Sequence, residues 1–424
     1  MREMNDSGIE WIGQIPKEWD ILRLKYCFSG FTNGTSDTQL SSGESLYPVT
    51  RIETISSGEI NLDKIGYVAF SKKQYLLKTG DILVSNINSI KYLGNCAVVR
   101  DGYRLYHGMN LLRVVPGDYI DNGYAYYLFK SNVFKFPMEK YCKPAINQAS
   151  VSATTMKNFF IPFPDLVVQQ QIANFLDTKC SEIDATAEDI QKEISLLEDY
   201  KKSVITEAVT KGLNPDAEMK DSKIFYLGQI NKTWNLTKVG YCCKKLYRPF
   251  EPSDEALVCS NKGKVVPRGD TLIGLMTSDD NAMQGICKGD IAIHGMDTWH
   301  GAIACSEYDG KITRVVHVCK ADGDNRFVVY WLQHLAFVGV YKLISNGVRG
   351  NTSDFRSWDK VADIYVPNPI KEEQQQIADF IDTKCSEIDT LIADKKRQLD
   401  ILADYKKSLI YEYVTGKKEV SVNE

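Results

Sequence analysis

The chain has 424 residues, 43% of them hydrophobic and 25% charged, with a formal net charge of −4. These proportions suit a soluble globular protein of two to four domains and argue against a disordered, collagenous or membrane-embedded chain. Eleven cysteines without a CxxC pair, behind the polar start Met-Arg-Glu-Met-Asn-Asp, fit free thiols in a reducing compartment. A cytoplasmic location with no membrane partner is therefore expected.

In chain order, the first element is one that returns. Gly13-Gln-Ile15, Trp19 and Tyr26-Cys27 recur as Gly228-Gln-Ile230, Trp234 and Tyr241-Cys242, at an offset of 215. Short β-rich runs follow, Asp81–Val84 and Asn95–Val99 in the first copy, Asp290–Ile293 and Gly301–Cys305 in the second. Both copies lead in through Gly-Asp. The connections between the runs carry Ser85, Asn86, Asn88 and Lys91 in one copy and His294, Trp299 and His300 in the other. These side chains can read base edges or stack on bases, although the same residues also suit ordinary hairpin loops. A short helix is expected near Tyr124–Lys130 and Phe327–Leu335. Next come polar loops holding Asn147 in one copy and Arg349 and Asn351 in the other. Return strands at Phe159–Phe163 and Asp363–Val366 then end on prolines that release the chain into a helix.

Those helices contain the strongest repeat. Asp-Thr-Lys-Cys-Ser-Glu-Ile-Asp occurs at 177–184 and again at 382–389, an offset of 205. From Gln169/Gln374 to Thr210/Thr415, 25 of 42 aligned positions are identical. Leu176, Cys180, Ile183, Ala187, Ile190, Ile194 and Leu197 alternate by four and three, the seam of a coiled coil. In the second copy Lys395 and Lys406 interrupt that seam. Forty-two helical residues span roughly 63 Å, and so long and narrow a seam calls for a partner helix. The other copy is the natural candidate; two separate amphipathic helices, each on its own domain, are the alternative. The expected divisions are 1–164, a helix at 165–211, a linker at 212–221, 222–369, a second helix at 370–415, and a disordered polar tail at 416–424.

Charge is unevenly spread. Residues 20–160 hold 16 Lys/Arg against 11 Asp/Glu, and the helix at 165–211 holds 5 against 10. If a polyanion binds, it binds the globular parts. No phosphate-binding GxxxxGK[ST], HExxH or GxSxG pattern occurs. No catalytic residue is expected, and no metal site at His294 and His300. The frame is kept while the interiors diverge, which suggests two different ligands or sequences read.

The order of these segments resembles a known family. Ile12-Gly-Gln-Ile-Pro16 with Trp19, Gly80-Asp-Ile-Leu83, Gln169-Gln-Gln-Ile-Ala173 and Gln374-Gln-Gln-Ile-Ala378 are similar to segments of the specificity subunit of type I restriction–modification systems. The second copy departs in having Asn231 where the first has Pro16. The resemblance implies an α+β chain: two mixed α/β target-recognition domains in tandem, each followed by a long helix, the helices pairing as an antiparallel coiled coil. It implies a non-catalytic subunit that reads an asymmetric bipartite site on double-stranded DNA. Two methyltransferase (modification) subunits and restriction subunits would be its partners. No cofactor is expected in this chain; S-adenosylmethionine, ATP and magnesium would sit on the partner subunits. The expected DNA-contacting residues are Ser85, Asn86, Asn88, Lys91 and Asn147 in the first domain and His294, Trp299, His300, Arg349 and Asn351 in the second. Partner docking is expected on a helix face including Lys179, Glu182, Tyr200 and Tyr405, although the two tyrosines could equally pack the seam. A rival reading is a coiled-coil scaffold or adaptor that binds other proteins or glycans and no DNA, which the acidic pI of about 5.9 would suit.

Overall fold

A computed structural model of the chain describes residues 2–38, 40, 46–100, 102–146, 148–269, 280–345 and 354–420. Two compact units result: Met1–Ile190 with Arg397–Glu424, and Gln191–Lys396. Each unit therefore holds one globular domain and part of each long helix. No described helix is long and apolar enough to cross a membrane.

In the first unit a hairpin, Met4–Asp6 with Gln14–Pro16, leads to the strand Asp20–Arg23, which pairs antiparallel with the return strand Phe160–Phe163. Between them lies a four-stranded antiparallel sheet in the order Phe28–Asn33, Leu112–Pro116, Ile82–Val84, Cys96–Val98. The run Ile82-Leu83-Val84 is wholly apolar because both faces of the sheet are covered. Ile82 and Val84 face a core shared with the helices Asn122–Lys130 and Asn132–Lys140. Leu83 faces a separate cluster with Ile55, Leu77, Ala97, Leu105 and Leu111. The period of two in a strand assigns alternate residues to these two cores.

The second unit repeats the plan. Met219–Asp221 pairs with Gln229–Asn231, and Asn235–Lys238 with Tyr365–Asn368. Its sheet runs Cys243–Lys245, Val316–Ala321, Ile291–His294, Ile303–Cys305. Ile291 and Ile293 face the helical core, while Ala292 faces a cluster built on Leu257, Cys259, Ile312 and Val318. The frame-facing core is thus common to both units, and the opposite face of each sheet packs on unlike chain. The short helix expected near Phe327–Leu335 runs Asn325–Phe337, and a second, Val340–Ile344, follows it across Gly339 with φ 76°.

The repeated Gly-Asp has a structural cause. Gly80 and Gly289 sit at φ 87° and 88°, in the left-handed region. Each following aspartate caps the turn, accepting from the Lys78 amide at 2.7 Å and the Cys287 amide at 2.9 Å. Each also pairs with an arginine, but from a different place: Arg113 on the neighbouring strand in the first unit, Arg248 beyond the edge strand in the second.

The long helices span Leu166–Lys211 and Lys371–Val414. Gln169 and Gln374 are buried and lock each helix to its domain. Gln169 donates to the Pro164 carbonyl and accepts from the Asp121 amide; Gln374 does the same with Pro369 and Asp324. Asp177 accepts from the Tyr127 hydroxyl at 2.7 Å, and Asp382 from Tyr330. Cys180 and Cys385 point into the packed seam and are buried. The repeated octapeptide is therefore anchor and core.

Pairing of the two helices is antiparallel within each unit. In the first, Phe175 meets Tyr413 at 4.4 Å between ring centroids and Asp184 meets Lys406 at 2.6 Å. In the second, Glu193 meets Lys395 at 2.5 Å and Asp389 meets Lys201 at 2.6 Å. The lysines that interrupt the apolar seam reach carboxylates on the facing helix. In the tail expected to be disordered, Val420 packs partly against the first core.

Buried histidines make stability pH-dependent. Burial pushes His107 and His334 down to about 4, and pushes His294 and His317 down as well. The unfolded chain takes up these protons near pH 6.5, so stability is full above that pH and falls toward pH 4. By pH 5 the expected loss is about 2 kcal/mol for each of His107 and His334. The second unit has three such histidines and the first has one, so urea unfolding at pH 7.5 and pH 5 should find the second unit more acid-labile. His334→Gln should flatten its profile.

Candidate nucleic-acid interface

Strand register decides which loops share an end of each sheet. In the first unit Asn33 and Val84 both lie opposite Leu112, and Val84 lies opposite Cys96. The chain at 34–38, 85–95 and 109–111 therefore leaves from one end. In the second unit His294 lies opposite Val316 and Ile293 opposite Ile303, so 295–302 and 314–315 share an end.

At the first sheet's end, two stretches far apart in sequence are joined. Ile87–Asn88 pairs with Gln148–Ser150, which pairs in turn with Lys143–Ala145. The join is fixed by the Val151 amide donating to the Asn86 carbonyl at 2.9 Å, and by the Asn86 side-chain amide donating to the Val151 carbonyl at 3.2 Å. Neither 82–100 nor 140–164 contains an Asp or Glu, although the chain has 55 of them. The fold thus joins two acid-free stretches that bear Lys91, Lys143 and Gln148, all exposed, at an end of the sheet where 34–38 adds the exposed Asp37. No carboxylate among the described residues pairs with Lys91 or Lys143. Such a surface suits a polyanion.

The expected contact residues divide accordingly. Lys91 is exposed, its ammonium 5.3 Å from the Tyr92 ring centroid. Asn88 is half-buried and donates to Ser85 Oγ at 3.0 Å. Ser85 and Asn86 are buried, and their side chains hold the loop and the hairpin together. Asn147, Arg349 and Asn351 lie outside the described residues. Lys143 and Gln148 were missed because nothing local links them to residue 88; the run without acids is the signal that could have found them.

In the second unit His294 is half-buried at the sheet's end. Its Nδ1 accepts from the Asp297 amide at 3.1 Å and the Met296 amide at 3.3 Å. Burial pushes its pKa down, with Asp297 opposing. The Asp297 carboxylate also lies 3.1 Å from this Nδ1. Trp299 is half-buried with the Lys342 ammonium 6.0 Å from its ring, and His300 is exposed. Phe355 donates its amide to the Gly295 carbonyl at 3.0 Å, bringing the chain after residue 353 beside this loop. Among the described residues no cluster of His, Cys, Asp and Glu is placed to hold a metal ion.

On the helices, Lys179 pairs with Glu182 at 3.2 Å and the repeat's Lys384 with Glu387 at 2.8 Å. Tyr200 and Tyr405 are more than half exposed, so they do not pack the seam. One turn before each stands another exposed apolar side chain, Leu196 at 68% and Ile401 at 61%. The repeat thus shows the same uncovered apolar pair twice, on a chain whose other equivalent apolar positions are largely core.

If the surface carrying Lys91 and Lys143 binds DNA, Lys91→Ala and Lys143→Ala should each weaken binding to all sequences alike. Each should also lower the slope of log affinity against log salt by roughly 1. Titrations at several salt concentrations measure this.

Comparison with known proteins agrees with this architecture. The family model for the type I restriction modification DNA specificity domain matches residues 16–196. The putative type I restriction enzyme MjaX specificity subunit of Methanocaldococcus jannaschii is 30% identical, over 96% of each chain. The MjaVIII specificity subunit of the same organism is 23% identical, over 96% of this chain and 94% of its own. A chain solved in work on complex assembly and conformational transition of the type I restriction–modification system superposes with a TM-score of 0.63 at 14% identity. That superposition covers 95% of this chain and 99% of the other. With its duplicated frame and paired long helices, the chain belongs to the specificity subunits of type I restriction–modification systems.

Proposed function

We propose that the chain is the DNA-recognition subunit of a type I restriction–modification complex, reading an asymmetric bipartite site on double-stranded DNA. Each domain reads one half-site with the loops at the free end of its sheet. The observation that carries this is the sheet itself: one face packs on a frame repeated in both units, and the other packs on unlike chain. Unlike readers on a common frame suit two different half-sites. The two equivalent apolar pairs on the helices support docking of two copies of one partner, the modification subunit. In this reading the chain positions the partners and performs no chemistry. S-adenosylmethionine sits on the modification subunits, and ATP and magnesium on restriction subunits.

Mapping methyladenine across a genome with and without this gene tests the reading, and one asymmetric bipartite motif should vanish on deletion. Exchanging residues 20–160 for the equivalent domain of another such subunit should change one half-site only. Loss of no motif, or a change in both half-sites, would count against it. A complex whose affinity for duplex DNA does not fall with salt would point to a scaffold instead.

A further inference from the structure

We propose that Ile146 is an apolar wedge that enters the DNA duplex and unstacks one base step in the half-site read by the first domain. The inference rests on the DNA-recognition reading above. Ile146 is 94% exposed, the most exposed of the large hydrophobic side chains described. An exposed apolar side chain is not by itself informative. Its mounting is.

Ile146 stands at the end of the hairpin formed by Lys143–Ala145 and Gln148–Ser150. The base of that hairpin is fixed in the sheet's recognition end. Ala149 lies opposite Asn88 and is buried, and Val151 is buried and held by the backbone and side-chain bonds to Asn86. Pro144, opposite Ala149, stiffens the outer strand. A β-branched side chain on this support has little rotamer freedom to lose on insertion. Lys143 stands on the same hairpin and Lys91 on the loop it pairs with. The joined stretches contain no carboxylate to repel phosphates. A rigid stalk, cationic flanks and one uncovered aliphatic tip together fit a duplex whose base steps can be parted. The step entered should be a flexible one, pyrimidine followed by purine.

The experiment uses the complex of this subunit with its modification partner and the duplex it methylates. 2-Aminopurine or pyrrolocytosine is stepped through the first half-site. The wild-type complex should raise fluorescence at one step, and Ile146→Ser should abolish that rise and weaken binding about 10-fold. Ile146→Leu should retain both. Because the contact is apolar, Ile146→Ser should leave the salt slope unchanged, unlike Lys143→Ala. A wild-type complex that binds its site with no fluorescence change at any step overturns the wedge and leaves the recognition reading standing. Ile146→Ser that spares DNA affinity but lowers the amount of modification subunit bound assigns the tip to a protein partner and overturns the wedge. Absence of any sequence-specific DNA binding overturns both.

Discussion

Asp81→Ala is expected to destabilise the first unit by about 3–5 kcal/mol, among the largest effects of any single substitution in the chain. The Asp81 carboxylate is buried and lies 2.6 Å from Arg113 Nη2, whose side chain is also nearly buried. Without Asp81, the guanidinium keeps the Gln74 carbonyl, 3.2 Å from Nη1, and no compensating charge on Nη2. The Lys78 amide loses its acceptor as well. Asp290→Ala removes an equivalent cap from the second unit, yet it should cost only about 1.5–3 kcal/mol. Arg248 is a third exposed and can swing into water when its partner goes. Hydrogen exchange of the strand peptides 82–84 and 291–294, measured against denaturant, separates the two. The double substitution Asp81→Ala, Arg113→Leu should recover roughly half the loss or more, because the cost lies in the stranded charge. Equal losses in the two units would refute the assignment of the difference to arginine burial.

This asymmetry marks how far the sequence could be read. The Gly-Asp repeat announces a common turn, but its arginine partners lie 32 residues downstream in one unit and 42 upstream in the other. No spacing rule joins them. The helices were legible because their pattern is local and repeated; even the lysines that interrupt the seam have their explanation one helix away, in Glu193 and Asp184. The recognition end was only half legible. Ser85 and Asn86 have the chemistry of base readers, but the loop turns them inward: Ser85 accepts from Asn88 within the loop, and Asn86 secures a hairpin some sixty residues later in the chain. Residues such as Lys143 and Gln148 reach the surface through that long-range pairing, which periodicity within a segment does not encode. Nor does the run Ile82-Leu83-Val84 say which of its side chains face the frame and which the variable cluster, because all three are buried.

On the proposed docking of two modification subunits, replacing the apolar pair on one helix, Leu196→Asp with Tyr200→Ala, should lower the number bound from two to one. Adding Ile401→Asp and Tyr405→Ala should abolish binding. Exposed helix positions tolerate such changes with stability effects of about ±0.5 kcal/mol each, so thermal unfolding should move little. An aromatic residue beside an aliphatic one, covered on docking, is the composition of an energetic centre. Its removal commonly costs roughly 2–4 kcal/mol, about 30- to 1,000-fold in affinity. The Lys179–Glu182 and Lys384–Glu387 pairs on the same helices are partly exposed ion pairs. Their replacement by alanine should change affinity by less than about 5-fold and act mainly on its salt dependence. Stoichiometry from light scattering of the purified complexes checks the first result, and titration checks the second. The stepwise loss matters more than the loss itself: on the proposed reading, two copies of one partner on two independent, equivalent patches are lost one at a time. Retention of both copies by the fourfold variant would place docking elsewhere on the repeat, and loss of both copies from the first pair alone would mean that the patches do not act independently.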